Sequence, residues 1–111
     1  MELLTQRFKR ADLIRVHGRI DASTAPRLEA ALRSIIAEGR FKIVLDLSET
    51  DYISSAGIKV LVIIQKEVRR WNRGELKLSG LRDQVKETLD MVGLMPLFAT
   101  YDTALEAVGS F

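Results

Sequence analysis

One α/β domain is expected, with a mixed sheet of four to five strands packed with about four helices, and three observations predict it. The chain has 111 residues, the length of one domain, with no room for a second core. Short strand-like segments alternate with segments of helical period along nearly the whole chain. The run Ile43-Val-Leu-Asp-Leu47 holds four aliphatic residues broken only by Asp46. That is the pattern of a strand buried on both faces, as in a parallel sheet under helices.

The elements follow in order. Leu4–Arg10 and Asp12–His17 are strand candidates on either side of Ala11, and Gly18 breaks the second. Ser23 or Thr24 is placed to cap a helix whose first turn takes Pro26, where a missing N–H costs little. Leu28, Leu32, Ile35 and Ile36 give that helix one apolar face, and Gly39 ends it. Phe41–Leu47 is the central strand, and polar Ser48–Asp51 leaves it. Ile58–Ile64 is rich in β-branched residues, but the serine caps, Gly74 as a stop and one apolar face through Ile58, Leu61, Val62, Val68 and Trp71 predict a helix over 56–73. Trp71 is read as packing near the end of that helix, partly exposed. Glu75–Ser79 alternates as a strand. Val85, Leu89 and Val92 mark a short helix ahead of Gly93. Leu94–Ala99 is read as a last strand with Pro96 at its start or on an edge, and Asp102 as the cap of a final helix through Ala104–Val108.

Composition excludes several classes of function. The chain has no cysteine, so a disulfide framework, a thiol nucleophile and a sulfur-ligated zinc site are excluded. The longest apolar run, Val60–Ile64, has five residues, far short of the roughly 20 that span a bilayer, so no membrane insertion is expected. Met1–Arg10 has no apolar signal core, and a cytoplasmic location is the simplest expectation. Lys and Arg number 17 against 15 Asp and Glu, a net charge of +2. Two basic clusters, Arg7/Lys9/Arg10 and Arg69/Arg70/Arg73, have no stacking aromatics apart from Trp71. They read as solvated strand ends and a solvated helix face, and no nucleic-acid partner is expected.

The informative stretch is Asp46–Leu61. A buried strand ends, a short polar loop follows, and a helix begins at the paired serines Ser54 and Ser55. The C-terminal edge of such a sheet is where α/β proteins place their sites. Free N–H groups and the helix macrodipole favour negative charge at that point, so a phosphoryl group on a serine there is compatible with the fold. The plainer role of such a serine is to cap the helix.

The chain resembles a STAS domain of the bacterial anti-sigma factor antagonist (anti-anti-sigma factor) type. The resemblance rests on Gly18-Arg-Ile-Asp21 with Thr24-Ala25, on Ile43–Leu47, on Tyr52-Ile-Ser-Ser-Ala-Gly-Ile-Lys-Val-Leu61 and on Leu89-Asp-Met-Val-Gly-Leu94. Their order and spacing carry it over nearly the whole chain. It implies a binding protein that docks on an anti-sigma factor with an ATP-binding serine-kinase fold and releases the sigma factor. It also implies a switch: the kinase phosphorylates one serine before the second helix, and a PP2C-type phosphatase reverses this. By position the acceptor is Ser55, and Asp21 matches the acid beside it. The docking residues implied are Asp21, Ser23, Thr24, Ser54, Ser55, Ala56, Gly57 and Lys59. Many switch members carry an acid where this chain has Ser54 and a Ser or Thr where it has Ala56, so Ser54 is a second candidate acceptor. Stand-alone and fused domains of the same family also serve as constitutive scaffolds of lipid ABC transporters, anion transporters and sensory complexes. That is the alternative function.

An enzyme is not expected. His17 is the only histidine, and a Ser55/His17/Asp46 set lacks the Gly-x-Ser-x-Gly elbow that would support it. There is no Gly-x-Gly-x-x-Gly and no Walker lysine, no spaced His pair for a metal, and no cofactor is expected.

Overall fold

The computed structural model describes residues Met1–Phe111. The elements are β1 (Glu2–Arg7), β2 (Asp12–His17), α1 (Ala25–Ala37), β3 (Lys42–Glu49), α2 (Ser55–Arg69), β4 (Glu75–Ser79), α3 (Asp83–Met91), β5 (Thr100–Tyr101) and α4 (Ala104–Gly109). The five strands lie side by side in chain order. β1 is antiparallel to β2, and every later pair is parallel.

That order decides the layers. Right-handed crossovers between sequential parallel neighbours place α1, α2 and α3 on one face. Beneath them lies the main core, including Ile14, Leu45, Leu47, Leu61, Ile64 and Leu78, each fully buried. α4 covers the opposite face with Ala104, Ala107 and Val108 against Ala11, Leu13 and Val44. Ile43–Leu47 is buried between these layers, Asp46 included, as the aliphatic run predicts.

Asp46 is 2% exposed, and its carboxylate is fully engaged. It accepts hydrogen bonds from the Ser48 hydroxyl at 2.6 Å, the Ser79 hydroxyl at 2.7 Å and Arg15 Nε at 3.0 Å. Gln65, on the inner face of α2, has a matching role. Its amide donates to the carbonyls of Leu76 and Leu97 at 3.0 Å and accepts from the Leu76 N–H at 2.8 Å, tying α2 to β4 and to the segment before β5.

Several boundaries differ from expectation. β1 ends at Arg7 rather than Arg10, β3 continues to Glu49, and α2 begins one residue earlier, at Ser55. α2 ends at Arg69, a turn before Arg73, and Trp71 lies outside it at φ 58°, 78% exposed. The chain must turn sharply there. A Cβ on Gly74 would lie 2.1 Å from the Phe41 carbonyl oxygen, so only glycine passes that point. Leu94–Ala99 is not a strand: Met95–Leu97 forms a 3-10 turn with Pro96 inside it, and the fifth strand is Thr100–Tyr101. Proline lacks the ladder donor, and Leu94, Met95 and Leu97 gain more by packing on the core. Thr103, not Asp102, caps α4, its hydroxyl accepting from the Glu106 N–H at 3.2 Å.

Candidate functional site

The serine segment is positioned by an irregular continuation of the β2–β3 pairing. The register breaks between Arg15 and His17. Buried Thr50 fills the break, its hydroxyl donating to the Val16 carbonyl at 3.0 Å. Beyond it the two loops remain paired: the Gly18 N–H donates to the Glu49 carbonyl and the Ile20 N–H to the Tyr52 carbonyl, both at 3.0 Å. Ile20 and Ile53 form an isolated parallel bridge. The Ser54 N–H then donates to the Ile20 carbonyl at 2.8 Å, and α2 begins at the next residue.

The two serines have different surroundings. Ser54 is the N-cap, and its hydroxyl accepts from the Gly57 N–H at 3.3 Å. Ser55 is the first helical residue and is exposed. Gly57 packs flat on the bridge: a Cβ there would lie 2.6 Å from Ile20 Cγ2 and 2.8 Å from Ile53 Cγ1. Glycine is required here for close approach, not for an unusual backbone angle. Ile58 is buried, Val62 is half-buried and Lys59 is exposed, one turn beyond Ser55. The first turn of α2 contains no acid, and Lys66 and Arg69 lie in its last turn, so the macrodipole is uncompensated at the serine end.

The neighbouring loop is held by Asp21. Its Oδ1 accepts from the Ser23 N–H at 3.0 Å, the Ser23 hydroxyl at 2.7 Å and the Thr24 N–H at 3.1 Å. The hydrogen bond from the Ser23 hydroxyl is the main cause that holds the Asp21 carboxyl below its ordinary pKa of 3.8, with the backbone donors of Ser23 and Thr24 adding to it against a smaller opposing effect of burial. The helix-capping role expected of Ser23 or Thr24 is corrected here. Thr24 stands at the N-cap without a side-chain cap bond; its hydroxyl accepts from the Asp21 N–H and donates to the Arg19 carbonyl. Asp21, an acid in an Asx turn, outcompetes the hydroxyls for the free N–H groups.

One groove of about 300 Å³ lies between the starts of α1 and α2, and of the expected docking residues only Ala56 and Lys59 line it; Asp21, Ser23, Thr24, Ser54, Ser55 and Gly57 do not. Ala22, Ala25 and Pro26 line one side, Ala56, Lys59 and Val60 the other. Ala22, Pro26 and Val60 were not among the expected docking residues; only the packing of α1 on α2 places them there. Asp46 faces away from this site, and its partners are Ser48, Ser79 and Arg15. His17 lies exposed at the end of β2, opposite Glu2 and Glu49. The Ser55/His17/Asp46 set is therefore not assembled as a triad, whose members must be hydrogen-bonded in series.

A compact α/β domain with its serine loop clamped at the edge of a mixed sheet is the architecture of the STAS domain. The chain belongs to that family, whose model matches residues 3–107. It is 33% identical over 96 residues to BtrV of Bordetella bronchiseptica, which is named as an anti-sigma factor antagonist, covering 86% of this chain and 82% of that one. It is 36% identical over 79 residues to the anti-sigma-B factor antagonist of Listeria monocytogenes, covering 71% and 68%. Among solved structures, an anti-sigma factor antagonist from Mycobacterium paratuberculosis superposes with a TM-score of 0.88 at 24% identity, covering 98% and 92%. The unphosphorylated form of the anti-sigma factor antagonist SpoIIAA gives 0.83 at 17% identity, covering 98% and 95%. A sulfate transporter family protein from Wolinella succinogenes gives 0.77 at 20% identity, covering 92% and 84%. No helix is long and apolar enough to cross a membrane.

Proposed function

We propose that this protein is an anti-sigma factor antagonist that binds an anti-sigma factor of serine-kinase fold through the groove beside α2, and that phosphorylation of Ser55 ends the binding. The observation that carries the reading is the division of labour between the serines. Ser54 is occupied as a cap, whereas Ser55 is exposed on the first turn of α2, next in sequence to Ala56, which lines a mostly apolar groove. Two relatives above 30% identity are named as antagonists, whereas the transporter likeness is one of fold alone, so the antagonist reading is preferred to a constitutive scaffold.

The mechanism needs no refolding. A neutral hydroxyl enters a protein interface at small cost when it finds a partner. A phosphoryl group brings a charge of about −1.5 to −2, which is stable on the free protein because it meets the helix N-terminus and Lys59 one turn on. In the complex it must be desolvated. A penalty of about 4 kcal/mol lowers affinity roughly a thousandfold. A PP2C-type phosphatase would reverse the step.

The experiment is a comparison of Ser55→Ala and Ser55→Asp for binding to the anti-sigma factor, with intact mass measured after incubation with that kinase and ATP. Retained binding by the alanine variant, weakened binding by the aspartate variant and one added phosphate mapped to Ser55 are expected. Equal affinities with no phosphate added would overturn the switch. A phosphate mapped to Ser54 would move it by one residue.

A further inference from the structure

The edge of the sheet opposite Ser55 carries a charge pattern that the antagonist reading leaves unused. Four connections meet there, because every parallel strand starts at that edge and α1, α2 and α3 end at it. The β1–β2 hairpin brings Arg7, Lys9 and Arg10, the α1–β3 loop Arg40 and Lys42, and the end of α2 with its following turn Lys66, Arg69, Arg70 and Arg73. The two basic clusters of the sequence are thus one surface. Four acids there are consumed in ion pairs: Asp12 and Glu38 with Arg7, Glu67 with Arg73, and Glu75 with Arg69, Asp12 also holding Arg40. Lys9, Lys42, Lys66 and Arg70 have no carboxylate partner, Arg10 donates to the Phe111 carbonyl at 3.1 Å, and Asp90 is the one acid at this edge without a basic partner. This edge has a surplus of four positive charges on a chain whose net charge is +2, so the remainder, Ser55 included, is acidic by two.

Apolar side chains project from the same edge. Trp71, in the turn after α2, is 78% exposed, and Met91 and Val92, at the end of α3, are 85% and 53% exposed. Trp71 and Asn72 both have left-handed backbone, at φ 58° and 56°, which a bulky residue adopts only at a cost. Arg70 and Arg73 lie over the Trp71 ring at 5.4 and 5.2 Å.

We infer that this edge docks reversibly on an anionic lipid surface, with Trp71, Met91 and Val92 entering the headgroup layer and the unpaired bases on the lipid phosphates. Three features favour lipid over other polyanions. Three of the four unpaired bases are lysines, which protein interfaces deplete and lipid surfaces accept. Single-stranded nucleic acid needs successive stacking rings, but Trp71 stands alone, because Phe41 is covered by Arg73 at 4.0 Å. Tryptophan beside Lys and Arg is also the composition of a membrane-interface anchor. Each unpaired base adds about fivefold to partitioning, so these give weak, salt-sensitive attachment. The acidic remainder then points away from the lipid and leaves Ser55 facing solvent.

Trp71 is the only tryptophan and therefore reports on the event. Vesicles of phosphatidylcholine with phosphatidylglycerol are expected to sediment with the protein and shift Trp71 emission to the blue, reversibly with salt, while phosphatidylcholine alone does neither. The double variant Lys9→Glu/Lys42→Glu should lose at least about twentyfold in partitioning with an unchanged circular dichroism spectrum, and Trp71→Gly should partition more weakly. The inference is overturned if the mixed vesicles leave the protein in solution, or if the charge-reversed protein partitions as well as the parent. A blue shift produced by free glycerol phosphate, by single-stranded DNA or by polyglutamate but not by vesicles would also overturn it. None of these readouts depends on phosphorylation of Ser55.

Discussion

The Ile20 carbonyl accepts the Ser54 N–H at 2.8 Å. This bond joins the loop that carries Asp21 to the loop that carries the serines, one residue before α2 begins. Ser54 is held at both backbone and side chain, and Ser55 projects from a fixed base.

Gly57 keeps that base flat. Gly57→Ala gains up to about 1 kcal/mol of helix propensity, but its methyl group would press on Ile20 and Ile53 at 2.6 and 2.8 Å. Both contacts are to γ carbons of β-branched side chains, one bond from Cβ, so overpacking of about 2 kcal/mol wins. A lower urea midpoint is expected, together with weaker binding to the anti-sigma factor. An unchanged midpoint would show that the bridge yields freely.

The serines should separate in stability as well as in signalling. Ser54→Ala removes a cap and should cost about 1 kcal/mol. Ser55→Ala touches an exposed hydroxyl and should stay within about 0.5 kcal/mol of the parent. Thermal unfolding of the two variants side by side checks the order.

Gln65→Leu should destabilise by about 2–4 kcal/mol despite its apolar volume. It strips the Leu76 N–H and the Leu76 and Leu97 carbonyls of a buried partner. Denaturant titration measures the loss, and faster amide exchange at Leu76 locates it.

Acid should weaken the fold through Asp46. Burial pushes its carboxyl up, but the hydrogen bonds from Ser48, Ser79 and Arg15 outweigh that and hold its pKa below the ordinary 3.8. A carboxylate with a lower pKa in the folded than in the unfolded chain adds stability above the unfolded value, and that stability is lost as pH falls through the folded one. Asp21, lowered chiefly by the Ser23 hydroxyl, acts in the same direction. Urea midpoints should therefore decline below about pH 4, and the decline should be shallower in Asp46→Asn. Equal slopes would remove Asp46 from the account.

Much of this protein is legible without coordinates, because local chemistry dictates it. An aliphatic run with one polar break buries on both faces; a serine pair before a helical period starts a helix; Gly39, at φ 78°, stops one. Where the local pattern misleads, a distant contact has intervened. The Phe41 carbonyl forbids any side chain at Gly74, the turn ahead of it follows an early end to α2, and Trp71 is left in water. Leu94–Ala99 looks like a strand until Pro96 and the pull of the core bend it into a 3-10 turn. The serine motif was readable, but which hydroxyl is free was not: that follows from which backbone N–H each oxygen can reach once Ile20 and Ile53 are paired. The two basic clusters lie some sixty residues apart in sequence, and only the parallel crossovers bring them to one edge. Periodicity and capping act over a few residues, so the sequence by itself determined most of the element types and the family. Charge and packing act through space, so the free serine and the basic edge were decided by the tertiary structure.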